Sequence, residues 1–139
     1  MMKTIRVAAL VLAAALAGCD GDATGHERLS AVGRYSLQSV DGASLPAPWY
    51  EYGSARVEVA AGQMDIVTDS SYAYVIDFRE TNGAAVTTSR YEEVGTLVQR
   101  ADTIVFTSAA PLTGTFVGII SGSQMTMTDL GSTWVFRKE

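Results

Sequence analysis

The feature that most limits how this chain can fold is the close spacing of its turns. From Val32 onward, short runs that alternate apolar and polar residues are cut every six to ten residues by dipeptides suited to tight reversals. Asp41-Gly42, Ala61-Gly62, Asn82-Gly83, Ser121-Gly122 and Leu130-Gly131 are such points, and Asn82-Gly83 is the strongest short hairpin signal among them. Connections of two to four residues allow only antiparallel pairing of sequential strands, since a parallel crossover needs a dozen or more. No stretch after residue 18 carries a convincing helical stripe.

The expected strands are Val32 to Val40, Ala55 to Ala60, Gln63 to Thr68, Tyr72 to Glu80, Ala85 to Val94, Thr96 to Arg100, Thr103 to Thr107, Thr113 to Ile120, Ser123 to Thr128 and Thr133 to Lys138. Ala61-Gly62 is read as a hairpin turn, and Gly95 as a break or bulge. Ala43 to Trp49 contains Pro46 and Pro48 and is expected to be a loop or an edge segment. The fold class that follows is all-β: one antiparallel up-and-down barrel of 8–10 short strands over residues 32–139, closed on itself to remove its edges.

The first eighteen residues do not belong to that pattern. Met1 to Arg6 carries two positive charges, and Val7 to Ala17 is an apolar run of eleven residues. That is too short for a membrane span, which takes about 20, and it has the layout of a secretory signal peptide. Leu16-Ala17-Gly18-Cys19 follows and resembles the lipobox of bacterial lipoproteins. The resemblance implies cleavage before Cys19, lipid on the Cys19 sulfur, and anchoring in the cell envelope at the inner or outer membrane. Asp20 is similar to the enterobacterial signal for retention at the inner membrane, and other bacteria follow other rules. Cys19 is the only cysteine, so the chain can form no internal disulfide in an oxidising compartment. Residues 19–31 read as a polar tether, and its His26 as a solvated side chain.

Removing residues 1–18 takes away Lys3 and Arg6, leaving eight basic against fifteen acidic residues and a formal charge of −7. A nucleic-acid partner would need a basic stripe, which is absent. An acidic surface gains nothing at an anionic bilayer, so attachment is expected through lipid.

Within the barrel segment the chain resembles the small lipocalin-like domains of bacterial lipoproteins. The features that carry the resemblance are Gly33-Arg34-Tyr35-Ser36-Leu37, Val40-Asp41-Gly42, Leu45-Pro46 and the terminal Trp134-Val135-Phe136-Arg137-Lys138. Gly33-x-Tyr35 is similar to the lipocalin glycine-x-tryptophan signature, and the likeness implies that Arg137 lies across the Tyr35 ring.

Alternation on Tyr72 to Glu80 puts Tyr72, Tyr74, Ile76 and Phe78 on one face, with Asp77 and Arg79 sharing the other as an expected exposed ion pair. Phe116, Met125 and Met127 also fall on apolar faces. The candidate interior is therefore Tyr72, Tyr74, Phe78, Phe116, Met125 and Met127, which either fill a closed core or line a cavity for a small apolar or amphipathic ligand. Trp49, Tyr50 and Tyr52 either cap one end of the barrel or form an outer patch for an envelope protein.

Catalytic chemistry finds no support. Adjacent Glu92 and Glu93 point to opposite faces of a strand and cannot act as an acid/base pair, and the only histidine lies in the tether. Asp65, Asp69, Asp102 and Asp129 sit at or near turns, where bonding to the backbone is the ordinary role. No spacing suggests a calcium loop or a zinc site, so no cofactor is expected. The sequence reads as a non-enzymatic lipoprotein.

Overall fold

Turn chemistry sets the course of the chain as expected at two of its reversals. At Asp41-Gly42 both residues take positive φ (48° and 80°), as do Leu130-Gly131 (51° and 80°), the geometry of a two-residue hairpin turn. The computed structural model describes residues 30–110 and 114–139. The signal segment, Cys19, Asp20, His26 and most of the tether lie outside the described residues, as does Pro111.

Ten strands follow in order: β1 (Gly33–Val40), β2 (Ala43–Ser44), β3 (Ala47–Tyr52), β4 (Ala55–Thr68), β5 (Ser71–Asn82), β6 (Ala85–Arg100), β7 (Thr103–Ser108), β8 (Thr115–Ser121), β9 (Gln124–Asp129) and β10 (Ser132–Lys138). Each strand from β4 to β10 pairs antiparallel with the next. β1 pairs with β10 on one side and with the second half of β4 on the other, from Gly33↔Ile66 to Ser36↔Gln63. The eight strands β1 and β4–β10 thus close an all-β antiparallel barrel. β2 and β3 stay outside the ring: β2 adds two residues to β1, and β3 pairs with the first half of β4. The proline-bearing segment is therefore the edge strand β3, reached through a cis Leu45–Pro46 bond.

Two turn readings fail. Ala61-Gly62 is not a hairpin: β4 runs unbroken through it, and a bulge between Val59 and Ala61 absorbs one residue while the chain keeps its direction. Gly62 faces inward, where Ile76 and Leu37 occupy the space a side chain would need. Gly95 does not break the ladder either, because β6 is continuous over Ala85–Arg100. Its missing side chain leaves room for the Tyr72 ring and for the Thr107 carbonyl of β7.

The strands are unequal, and this shapes the molecule. β6 pairs with β7 only from Gly95 onward, whereas its pairing with β5 runs from Ala85 to Thr96. The far halves of β4, β5 and β6, together with β3, therefore project past one rim as a four-stranded apron.

Alternation builds the core. Trp134, Tyr35, Phe106, Phe136, Met64, Met125 and Met127 are each less than 2% exposed. Burial of such side chains contributes roughly 1.5–3 kcal/mol apiece. The outer face instead carries ion pairs: Arg34–Asp65 across β1–β4, Arg79–Glu58 across β5–β4, and Arg90–Asp77 across β6–β5. The expected Asp77–Arg79 pair is thus replaced by two cross-strand pairs, because opposed residues sit closer than residues two apart on one strand.

The end opposite the apron is a sealed floor. The Tyr35 hydroxyl donates to the Ala31 carbonyl at 2.7 Å, and Lys138 Nζ donates to the Ser30 carbonyl at 2.9 Å. The chain is therefore already part of the barrel two residues ahead of Val32. The cation over the Tyr35 ring is Lys138, 5.6 Å from its centroid, and not Arg137. Period-2 alternation explains the difference: Trp134, Phe136 and Lys138 face inward, which turns Arg137 out to solvent.

Candidate functional site

The six candidate interior residues divide between two depths. Tyr72, Phe116, Met125 and Met127 belong to the filled middle of the barrel. The Phe106 and Phe116 rings stack at 4.9 Å, and Tyr72 meets them edge-on at 5.0 and 5.8 Å. Both methionines are fully buried. Tyr74 and Phe78 lie nearer the apron and line a cavity of about 150 Å³ at the barrel mouth.

Strand β5 supplies one wall of that cavity through Tyr74, Ile76 and Phe78, its inward positions. Trp134 of β10 faces them from across the barrel. Tyr91 of β6, opposite Ile76 in register, forms the side, and Asp129 and Leu130 at the β9–β10 turn form the lip. Trp49 closes over the top, with its ring centroid 4.7 Å from Trp134 and 5.2 Å from Phe78 in an edge-on contact. Trp49 thus takes the capping role. Its neighbours Tyr50 and Tyr52 stay out on the apron, 52% and 51% exposed and stacked at 5.7 Å. Tyr50 borders a shallow groove of about 280 Å³ that shares Trp49 and Phe78 with the cavity and contains Glu80. The Tyr52 hydroxyl donates to that Glu80 carboxylate at 2.5 Å.

The titratable side chains of the mouth are all acids or phenols. Glu93 points inward from β6 and is only 7% exposed, while Glu92 faces solvent. One Glu93 oxygen accepts from the Tyr72 hydroxyl at 2.6 Å, and the other accepts from the Tyr91 hydroxyl. Burial, and then the hydrogen bond to Glu93, push the Tyr72 phenol far above its ordinary range. Burial does the same to Tyr74, with the negative charges of Asp129 and Glu93 adding to the rise. The Asp129 carboxyl is also raised: burial is the main cause, the Leu130 amide opposes it, and the charge of Glu93 reinforces it.

Sequence reading missed Tyr91, Asp129 and Leu130 as members of one site. Period-2 counting along β6 could have found Tyr91, since it shares a face with Glu93 and Leu97. The convergence of Asp129 on the same cavity needs the barrel to close. Among the described residues, no group of three or more His, Cys, Asp or Glu side chains is placed to hold a metal ion.

No family model matches the chain, and no curated protein matches it. A crystal structure of an uncharacterized protein from Bacteroides eggerthii is similar at 15% sequence identity, with a TM-score of 0.40 over 78% of this chain and 98% of that one.

Proposed function

We propose that this protein is a lipid-anchored, non-catalytic binding module of the bacterial cell envelope that takes a small apolar or amphipathic ligand into the mouth of its barrel. The observation that carries this reading is the division of the interior. The middle of the barrel is filled by fully buried side chains, whereas the mouth keeps a cavity walled by five aromatic rings. A protein whose barrel served only as a scaffold gains stability by filling that space. About 150 Å³ suits a ligand of roughly one aromatic ring, because an apolar cavity of that size takes up benzene. The anchor rests on Leu16-Ala17-Gly18-Cys19 and on the apolar run before it.

Native mass spectrometry of the full chain, purified gently from its own host's envelope, tests the binding reading. A retained small mass that is lost on denaturation is expected and would give the ligand's class. A clean apo mass at full native stability would overturn the reading. It would leave the second one, an envelope interaction protein docking through the exposed Tyr50–Tyr52 pair. Radiolabelled lipid precursor tests the anchor: label is expected on the wild-type chain and none on Cys19→Ala.

A further inference from the structure

The chemistry of the mouth narrows the ligand further, on the reading that the mouth is a binding site. Asp129 is the sole charged residue lining the cavity. The neighbouring Leu130 amide favours its charged form, and no ion pair reaches it among the described residues. Glu93 lies just behind Tyr91 and is satisfied by two phenol hydroxyls rather than by a cation. Glu80 continues the negative charge into the adjoining groove.

The cations of the barrel are elsewhere. Arg34, Arg56, Arg79 and Arg90 are occupied on the outer face, and Lys138 is held at the floor. A partly desolvated carboxylate beside a second acid costs stability, and a positive charge brought into the cavity would remove that cost. The walls suit such a charge as well, because aromatic faces attract cations electrostatically, most strongly in desolvated sites. Trp49, Trp134, Tyr74, Phe78 and Tyr91 surround the one free carboxylate with such faces.

We propose that the mouth is an organic-cation site. It takes a small ammonium-bearing molecule whose apolar body is about one ring in size, with the charge set against Asp129 and the surrounding aromatic faces. A purely apolar molecule would fill the same volume and leave Asp129 buried without a counterion. An anionic amphiphile would place like charge against Asp129 and Glu93.

The chain reports on this site by itself, since it contains two tryptophans, Trp49 and Trp134, and both line the cavity. The test is a titration of tryptophan emission of the full chain near pH 7.5 with benzylammonium and, separately, with benzyl alcohol. The two probes share the ring and the number of heavy atoms and differ in charge. Benzylammonium is expected to bind at least tenfold more tightly. Asp129→Asn is expected to lower its affinity tenfold or more, whereas Asp102→Asn at the floor, which removes the same charge from a remote place, leaves it unchanged.

Equal or tighter binding of benzyl alcohol by the wild type would overturn the cation proposal while leaving the mouth a ligand site. Benzylammonium binding that survives Asp129→Asn unchanged would overturn it in the same way. No response to either probe would overturn both this proposal and the binding function beneath it. The wild-type comparison decides the matter even if the Asp129 variant fails to fold.

Discussion

Three inward-facing glycines offer a graded test of how tightly the barrel is packed. A Cβ added at Gly95 would lie 2.2 Å from the Thr107 carbonyl oxygen and 2.7 Å from the Tyr72 ring. The oxygen belongs to the backbone of β7, so relief requires β6 and β7 to part by about 1 Å, against the ladder that joins them. At Gly62 the nearest atoms are the Ile76 methyl at 2.6 Å and the Leu37 methyl at 2.8 Å, ends of flexible side chains. At Gly118 the closest contact is the Phe106 ring at 3.0 Å, with Met125 beyond it at 3.5 Å. Overpacking costs roughly 1–3 kcal/mol, and a glycine-to-alanine change returns roughly 0.4–1 kcal/mol by restricting the unfolded chain. Gly95→Ala should therefore cost about 2–2.5 kcal/mol, Gly62→Ala about 1–2, and Gly118→Ala less than about 1. Urea unfolding followed by far-ultraviolet circular dichroism measures the series, and Gly95→Ala should lower Tm by roughly 10–15 °C. A Gly95→Ala protein within about 0.5 kcal/mol of wild type, or one more stable than Gly118→Ala, would refute the close β6–β7 approach.

Other perturbations reach the mouth directly. Tyr72→Phe removes one of two hydroxyls bonded to the buried Glu93 carboxylate and should cost about 2 kcal/mol, whereas Tyr72→Phe added to Glu93→Gln should cost much less than the two changes summed, as a double-mutant cycle would show. Because the Asp129 carboxyl is raised in the folded state, its charged form opposes folding above its ordinary range. Asp129→Asn should thus be the more stable protein at pH 7, with the difference shrinking as pH falls through the raised value and vanishing below the ordinary one in urea melts across pH. Trp49→Ala strips the cap from Phe78 and Trp134 and should cost about 2 kcal/mol, while replacing Tyr50 and Tyr52 together should change stability by less than about 0.5 kcal/mol, both read from thermal melts.

The strands were legible wherever alternation and turn chemistry agreed, as on β5 and β10; the β5–β6 hairpin was also legible, although its two-residue turn is Gly83-Ala84, one residue on from Asn82-Gly83. They were misread where a small residue served packing rather than turning. Ala61-Gly62 looks like a hairpin in isolation, yet the inward position of Gly62 answers to Leu37 and Ile76, which are far away in sequence. Gly95 answers likewise to Tyr72. Closure needs strands long enough to circle the barrel, and that requirement is not written in any dipeptide. The site was half legible. Tyr74 and Phe78 follow from period 2 on one strand, whereas Asp129 looks like an ordinary turn aspartate until β9 and β5 face each other across the lumen. Lys138 displaced Arg137 over Tyr35 because strand parity, and not charge type, decides which side chain reaches the floor.

The sealed floor has a topographical consequence. Ser30 is stitched to Lys138 beneath the barrel, so the chain leading back toward Cys19 departs from the end opposite the cavity. Eleven residue steps separate Cys19 from Ser30, a reach of roughly 40 Å at full stretch. A copy held by lipid at Cys19 would sit like a cup on a stem, base toward the bilayer and rim toward the aqueous space. On the proposed readings of anchor and mouth, a ligand would enter from the aqueous space, and a molecule dissolved in the same bilayer would have to leave it first.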